Sequence, residues 1–215
     1  MALIKPPMKY VDGEYYHVYN RGSRKQRIAF GDDNFFYFVQ LCRTKSHSHR
    51  VAVVAHCIMP NHFHLVVRQL DGGSVQKFVQ ATLNSYVQGV NKQQSLSGTL
   101  FQGKTKARHI DSESYLLHVV RYIHLNPVEA KLVDKPEEWR FSDYREWTSL
   151  SLESCRKDRE GQSNSPDSLT ESIVPEIRKN LLAPYFEAGI EYAKFVEAFQ
   201  EERDLKDIRQ YTIEK

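Results

Sequence analysis

The 215-residue sequence predicts an α+β fold, with a central antiparallel sheet and helices on one face. Two observations carry that prediction. The strand-forming runs 50–59 and 62–67 are separated only by Pro60 and Asn61, and strands joined so tightly run antiparallel. Stretches of helical periodicity then fall between the remaining strand runs, as in folds that segregate helices against an antiparallel sheet. The composition, 40% hydrophobic and 12% aromatic, supplies a core and excludes a wholly disordered chain.

In chain order, YYHVYN (15–20) alternates aromatic and β-branched residues with period two and runs into the turn-prone Arg21-Gly22-Ser23, so it predicts a strand. Asp32 and Asp33 precede a stretch in which Phe35, Phe38, Val39 and Cys42 recur at helical spacing, with acidic residues at the end the helix dipole favours. RVAVVAHCIM (50–59) and HFHLVV (62–67) are the paired strands. Over 74–91, Val75, Phe78, Val79, Leu83, Tyr86, Val87 and Val90 form one helical stripe. KARHI (106–110) is a short strand. The next run opens on Asp111 or Ser112 as an N-cap and is expected to stop at Asn126–Pro127, giving a helix of about 14 residues.

The composition changes after residue 147. Segment 148–172 holds seven serines and no aromatic residue, which predicts a linker. From 173 the helical periodicity returns, and Pro184 divides 173–215 into two short helices, a C-terminal extension of unknown role. Charge follows the same boundary. The formal net charge is only +3, yet residues 1–147 carry 20 Lys and Arg against 13 Asp and Glu, while 148–215 carry 10 against 14. A basic front of this kind suits a polyanionic partner as well as it suits an ordinary solvated surface. No apolar run approaches the ~20 residues that span a bilayer, and the N-terminus lacks an apolar signal region, so a cytoplasmic protein with no membrane partner is expected. The cysteines, Cys42, Cys57 and Cys155, show no CxxC spacing.

His62 and His64 lie two apart in a strand, so both project from one face, roughly 7 Å apart at Cα, while Phe63, Leu65 and Val67 fill the other. Two imidazoles at that spacing can share one cation. They can equally form the polar face of a strand, or join His56 or Cys57 in a closed structural zinc site. On the 111–126 helix, Tyr115, His118, Tyr122 and Asn126 are spaced three, four and four residues apart and share one stripe. Such a stripe is an amphipathic packing face, or else it offers a phenol nucleophile one turn from an amide oxygen that can ligate a hard cation.

At these residues the chain resembles the single-tyrosine, His-hydrophobic-His transposases of bacterial insertion sequences, and within them the REP-associated tyrosine transposases. The resemblance rests on YHVYNRGSRKQRIAF (16–30), VAVVAHCIMPNHFHLVV (51–67), GTLFQGKTKARHI (98–110), ESYLLHVVRYIHLNPVEAKLV (113–133) and WRFSDYREW (139–147), in that order, and covers about 16–147. It implies a ferredoxin-like α+β domain over 1–147. It also implies His62 and His64 as ligands of Mg²⁺ or Mn²⁺, with Asn126 completing the shell. Tyr122 would be the nucleophile that takes a 5′-phosphotyrosine link to single-stranded DNA, and Tyr115 is the second choice.

The substrates implied are single strands folded into hairpins, cleaved and rejoined by a monomer or a homodimer. Arg21, Arg24, Lys25 and Arg27, and then Lys104, Lys106 and Arg108, are two cation clusters suited to phosphate. Tyr16, Tyr19 and Phe101 could stack bases but fit core burial better. One departure stands out: Glu129 occupies a position where the family commonly has Arg. The other functions the sequence admits are a non-cleaving, domesticated hairpin-binding protein and a phosphodiesterase that uses water with no covalent intermediate.

Overall fold

Alternating β-branched and aromatic residues build four strands, and the intervening apolar stripes build the helices that cover them. The computed structural model describes residues 8–150 and 169–198, with only the backbone described for 169–172. In order, the chain forms β1 (Tyr15–Arg21), α1 (Asp32–Ser48), β2 (Val51–Ile58), β3 (His62–Gln69), α2 (Val75–Gln94), β4 (Lys106–Ile110), α3 (Glu113–Glu129), α4 (Tyr144–Thr148), α5 (Leu169–Leu182) and α6 (Gly189–Glu197). The strands lie in the order β2-β3-β1-β4, and every neighbouring pair is antiparallel. With α1 and α2 as the two crossovers, this is the ferredoxin-like split βαβ arrangement.

The register assigns the faces. His64 stands opposite Tyr19 on β1 and Cys57 on β2, and His62 stands opposite Arg21. Phe63, Leu65 and Val67 point the other way, into a core with Phe38 of α1 and Phe78 and Tyr86 of α2. The expectation of helices on one face holds for α1 and α2 but not for the molecule. The His face is covered as well, by an apolar cluster that joins Val66, Cys57 and Ala55 of the sheet to Leu116, Val120 and Ile123 of α3, Trp147 of α4, Leu181 of α5 and Tyr192 of α6. The reason is legible in β2, whose residues are apolar on both faces, as expected of a strand buried on both sides.

Two boundaries differ from expectation. α3 does not stop at Asn126 but runs through Pro127 to Glu129, and the chain leaves it through Ala130 N–H donating to the Asn126 carbonyl at 2.9 Å and Leu132 N–H to the Pro127 carbonyl at 2.9 Å. Pro127 lies in the last turn of α3, where it has no N–H to give the Ile123 carbonyl, and the helix continues only two residues past it. At the other end, Ser112 caps the helix, its hydroxyl accepting from Tyr115 N–H at 3.4 Å. In the C-terminal part, α5 starts at Leu169, while the helix break expected at Pro184 falls between α5 and α6. Most of the predicted linker (151–168) and the end of the predicted extension (199–215) lie outside the described residues.

Candidate active site

β3 and α3 cross on the covered face of the sheet, and their polar residues meet there. His62 Nε2 lies 3.0 Å from Asn126 Oδ1, and His62 Nδ1 lies 2.6 Å from Asn61 Oδ1. The Asn126 amide is oriented by its other end, since its Nδ2 donates to the Tyr122 carbonyl one turn back at 3.2 Å, which leaves Oδ1 facing the histidine. A neutral imidazole has one N–H and one lone pair, so it cannot donate to two amide oxygens at once. A neutral His62 with its Nδ1–H on Asn61 presents the Nε2 lone pair beside Asn126 Oδ1, two ligand atoms suited to one cation.

His64 sits deeper and is fully buried. Its ring is 5.1 Å from that of His62, and its Nδ1 is 2.9 Å from His17 Nε2. Its Nε2 has no hydrogen-bond partner at all, a rare state for a buried polar atom. Burial, together with the neighbouring His17 and His62, pushes the His64 imidazole well below its usual range, so it is neutral and able to offer a lone pair. Among the described residues no three His, Cys, Asp or Glu side chains surround a common point. The set is instead two imidazoles and an amide, and the 3.0 Å between His62 and Asn126 matches the separation of adjacent ligands at about 2.1 Å in octahedral geometry. These residues fit a weakly held Mg²⁺ or Mn²⁺ whose remaining positions are open to water or phosphate. The closed zinc alternative does not assemble from the neighbouring strand: His56 faces Asp143 and Cys57 Sγ lies 3.7 Å from Met59 Sδ.

Tyr122 is the tyrosine beside the histidines. Its ring stands edge-on to His64 with centroids 5.5 Å apart, and the residue is 4% exposed. Tyr115 lies two turns toward the helix N-terminus, about 10 Å along the axis. His118, on the same predicted stripe, turns away toward α6, where its ring is 5.9 Å from that of Phe195.

The two cation clusters flank this site. Arg21 stands opposite His62 across the β1–β3 ladder, and its Nε donates to Gln102 Oε1 at 2.6 Å. Arg24, Lys25 and Arg27 are exposed on the turn that follows, with Arg24 and Lys25 both at positive φ, 53° and 60°. That turn is strapped to the tip of the β2–β3 hairpin, because Gly22 N–H donates to the Asn61 carbonyl at 2.7 Å and Ile28 N–H to the Pro60 carbonyl at 2.7 Å. Gly22 is required there, since a Cβ would meet the Gln26 carbonyl oxygen at 2.0 Å. On the β4 edge, Lys104 is exposed, Lys106 Nζ lies 5.9 Å from the centre of the Tyr19 ring, and Arg108 Nε donates to the Tyr19 hydroxyl at 3.3 Å. Tyr16, Tyr19 and Phe101 are buried, as the core alternative expected.

Sequence reasoning missed His17, which touches His64, and a buried network behind the site. In that network the Asp143 carboxylate accepts from His124 Nε2 at 3.0 Å, Arg178 Nη2 at 2.6 Å and the His56 backbone N–H at 2.8 Å. The other ring nitrogen of His124 accepts from the Tyr192 hydroxyl at 2.8 Å. Burial alone would raise the Asp143 pKa, but His56, Arg178 and His124 outweigh it and hold the carboxyl well below the usual range. The one available signal was His124, a polar residue between Ile123 and Leu125 in an apolar run.

The sequence matches the family model described as IS200-like transposase over residues 10–126, and the chain belongs to that family, whose members are DNA transposases. Among solved structures, it is similar to one described as a REP-associated tyrosine transposase bound to a REP hairpin. The two share 12% identity and a TM-score of 0.58 over 76% of this chain and 93% of the other, a likeness of fold. A Deinococcus radiodurans crystal structure described as a candidate transposase shares 17% identity over 56% of this chain and 95% of the other. Its TM-score of 0.40 is too low to carry an argument. No curated protein matches the chain significantly.

Proposed function

We propose that this transposase cleaves and rejoins single-stranded DNA at hairpin-flanked sites, with Tyr122 as the nucleophile and a divalent cation held by His62, His64 and Asn126. The observation that carries this reading is that His62 meets Asn126 and His64 stands against the Tyr122 ring, with the buried His64 Nε2 left without a partner. Asn126 links the parts, because one end of its amide faces His62 and the other holds the Tyr122 carbonyl. When bound, Mg²⁺ or Mn²⁺ would supply positive charge to the oxygens of the scissile phosphate.

The chain's own residues would do the rest. The Tyr122 phenolic oxygen loses its proton and bonds to phosphorus, the bond from phosphorus to the 3′ oxygen breaks, and that oxygen gains a proton to leave as a 3′-hydroxyl. The 5′ side stays on the enzyme as a phosphotyrosine, and attack by a 3′-hydroxyl reverses the step. No water is consumed, so the phosphodiester is conserved and rejoining needs no external energy. Since Tyr122 is buried, its ring must swing outward to meet a strand. Arg21, Arg24, Lys25 and Arg27 on one side, and Lys104, Lys106 and Arg108 on the other, would hold the backbone phosphates. The assignment to the REP-associated subgroup, and with it the hairpin substrate, rests on the ordered motifs and on the fold shared with a hairpin-bound relative.

The test is incubation with Mn²⁺ and a hairpin-flanked single-stranded oligonucleotide, followed by a denaturing gel. Wild type and Tyr115→Phe are expected to give a covalent adduct, and Tyr122→Phe to give none while still shifting the oligonucleotide on a native gel. An adduct retained by Tyr122→Phe and lost by Tyr115→Phe would reassign the nucleophile. Binding without cleavage by wild type would favour a domesticated hairpin-binding protein.

A further inference from the structure

His17 stands on β1 with its ring buried, one diagonal step across the sheet from His64. The two imidazoles are nearly parallel, with centroids 5.1 Å apart and planes inclined by 23°, and His17 Nε2 lies 2.9 Å from His64 Nδ1. The Tyr19 ring lies against both, 4.8 Å from that of His17 and 6.0 Å from that of His64. Among the described residues, His17 is the partner of His64 Nδ1, and His64 Nε2 has none.

That contact admits two proton arrangements. If His17 Nε2–H donates to His64 Nδ1, the single proton of a neutral His64 sits on Nε2, where it is buried and bonded to nothing. If His64 Nδ1–H donates to His17 Nε2, the His64 Nε2 lone pair is left free to take a ligand, on a ring centred 5.1 Å from that of His62 and 5.5 Å from that of Tyr122. The first arrangement strands a buried donor, and the second presents a ligand. Metal-bound imidazoles commonly donate their second N–H to a fixed acceptor, which sets the tautomer and the ring orientation.

We infer that His17 is the positioning residue of the metal site: it accepts the Nδ1 proton of His64 and so fixes His64 in the tautomer whose Nε2 binds the divalent cation. This rests on the proposed role of His64 as a ligand. His17 Nε2 is engaged by His64 Nδ1, so in this proposal His17 acts through His64 and not on substrate.

The experiment is Mn²⁺ titration of the full-length protein without DNA, followed by electron paramagnetic resonance of free Mn²⁺. Wild type is compared with His17→Leu, His17→Gln and His64→Ala, each checked for folding by circular dichroism. His17→Leu removes the acceptor and is expected to weaken Mn²⁺ binding by roughly 10- to 100-fold. His17→Gln, whose amide oxygen can accept the same proton, is expected to recover most of that loss, which a purely structural role would not predict. Nitrogen-15 spectra of the wild type, with diamagnetic Mg²⁺ bound, are expected to show His64 protonated at Nδ1. Wild-type Mn²⁺ affinity in a folded His17→Leu, or His64 protonated at Nε2 with Mg²⁺ bound, would overturn the inference. Mn²⁺ lost by His64→Ala but kept by His17→Leu removes His17 alone, whereas wild-type binding by His64→Ala removes the metal site itself.

Discussion

At the scale of single residues, the site is built from groups whose hydrogen bonding is incomplete without a further partner. Asn126 is the most constrained of them, because its Nδ2 is committed to the Tyr122 carbonyl and only Oδ1 can face the His pair. Asn126→Ala is therefore expected to lower Mn²⁺ affinity by at least about tenfold, and isothermal titration would show it. Asn126→Asp should restore binding and strengthen it, since a carboxylate is a better ligand for a hard cation. The buried histidines also set an acid limit. Burial, reinforced by the Arg108 charge, brings His17 down to about 3, and burial lowers His124 despite Asp143 beside it. A folded-state pKa below the unfolded value of about 6.5 means that the unfolded chain takes up protons first. The stability these histidines contribute is thus complete above about pH 6.5 and declines as pH falls below it. The depressed Asp143 carboxyl adds a loss in the same direction, beginning near pH 4. Thermal unfolding in EDTA should show a midpoint that falls steadily from pH 7 to pH 4, and a flat profile would contradict the neutral burial of these groups.

At the scale of elements, the tyrosine helix is enclosed on both sides. The sheet covers one side of α3, and α4 and α6 pack on it as well, so most of residues 116–127 are buried. The enclosure is fastened by Asp143, which takes Arg178 of α5 and His124 of α3 on its two oxygens, with Trp147 Nε1 at 3.3 Å. Removing one partner of a buried ion pair leaves the other charge uncompensated. Asp143→Ala and Arg178→Met are each expected to cost about 3–5 kcal/mol in urea unfolding, the second because it leaves the buried Asp143 carboxylate without its cation. What the sequence could convey divides along this line. The strands, α1, α2 and the His pair were legible because they follow local periodicity and tight turns. Tyr122 and Asn126 were legible as a helical stripe, but which tyrosine faces the histidines depends on where β3 crosses α3, and a spacing of three or four residues does not encode that. The contact between His17 and His64 joins strands 47 positions apart, and Arg178 reaches Val54 across 124, so no local pattern announces either. The run through Pro127 was not legible, because a proline reads as a stop and no local pattern shows that α3 continues two residues past it.

At the scale of the whole molecule, the net charge of +3 conceals a basic front that carries the site and a more acidic remainder. Arg24, Lys25 and Arg27 are exposed on the turn strapped to the β2–β3 hairpin, and Lys104 and Lys106 at the β4 edge. Replacing Arg24, Lys25 and Arg27 together with Ala is expected to weaken single-strand binding and to flatten its salt dependence, the slope falling by about 0.7 for each phosphate no longer neutralised. A fluorescence-anisotropy titration over a range of salt concentrations would read both effects, and an unchanged slope would place the strand elsewhere. All of the proposed chemistry turns on the covalent bond to Tyr122. The most direct measurement is mass spectrometry of peptides from wild-type protein digested after reaction with Mn²⁺ and a hairpin-flanked oligonucleotide. A nucleotide-modified peptide carrying the modification on Tyr122 is predicted; cleaved DNA with no modified peptide, or with the modification on Tyr115, would contradict it.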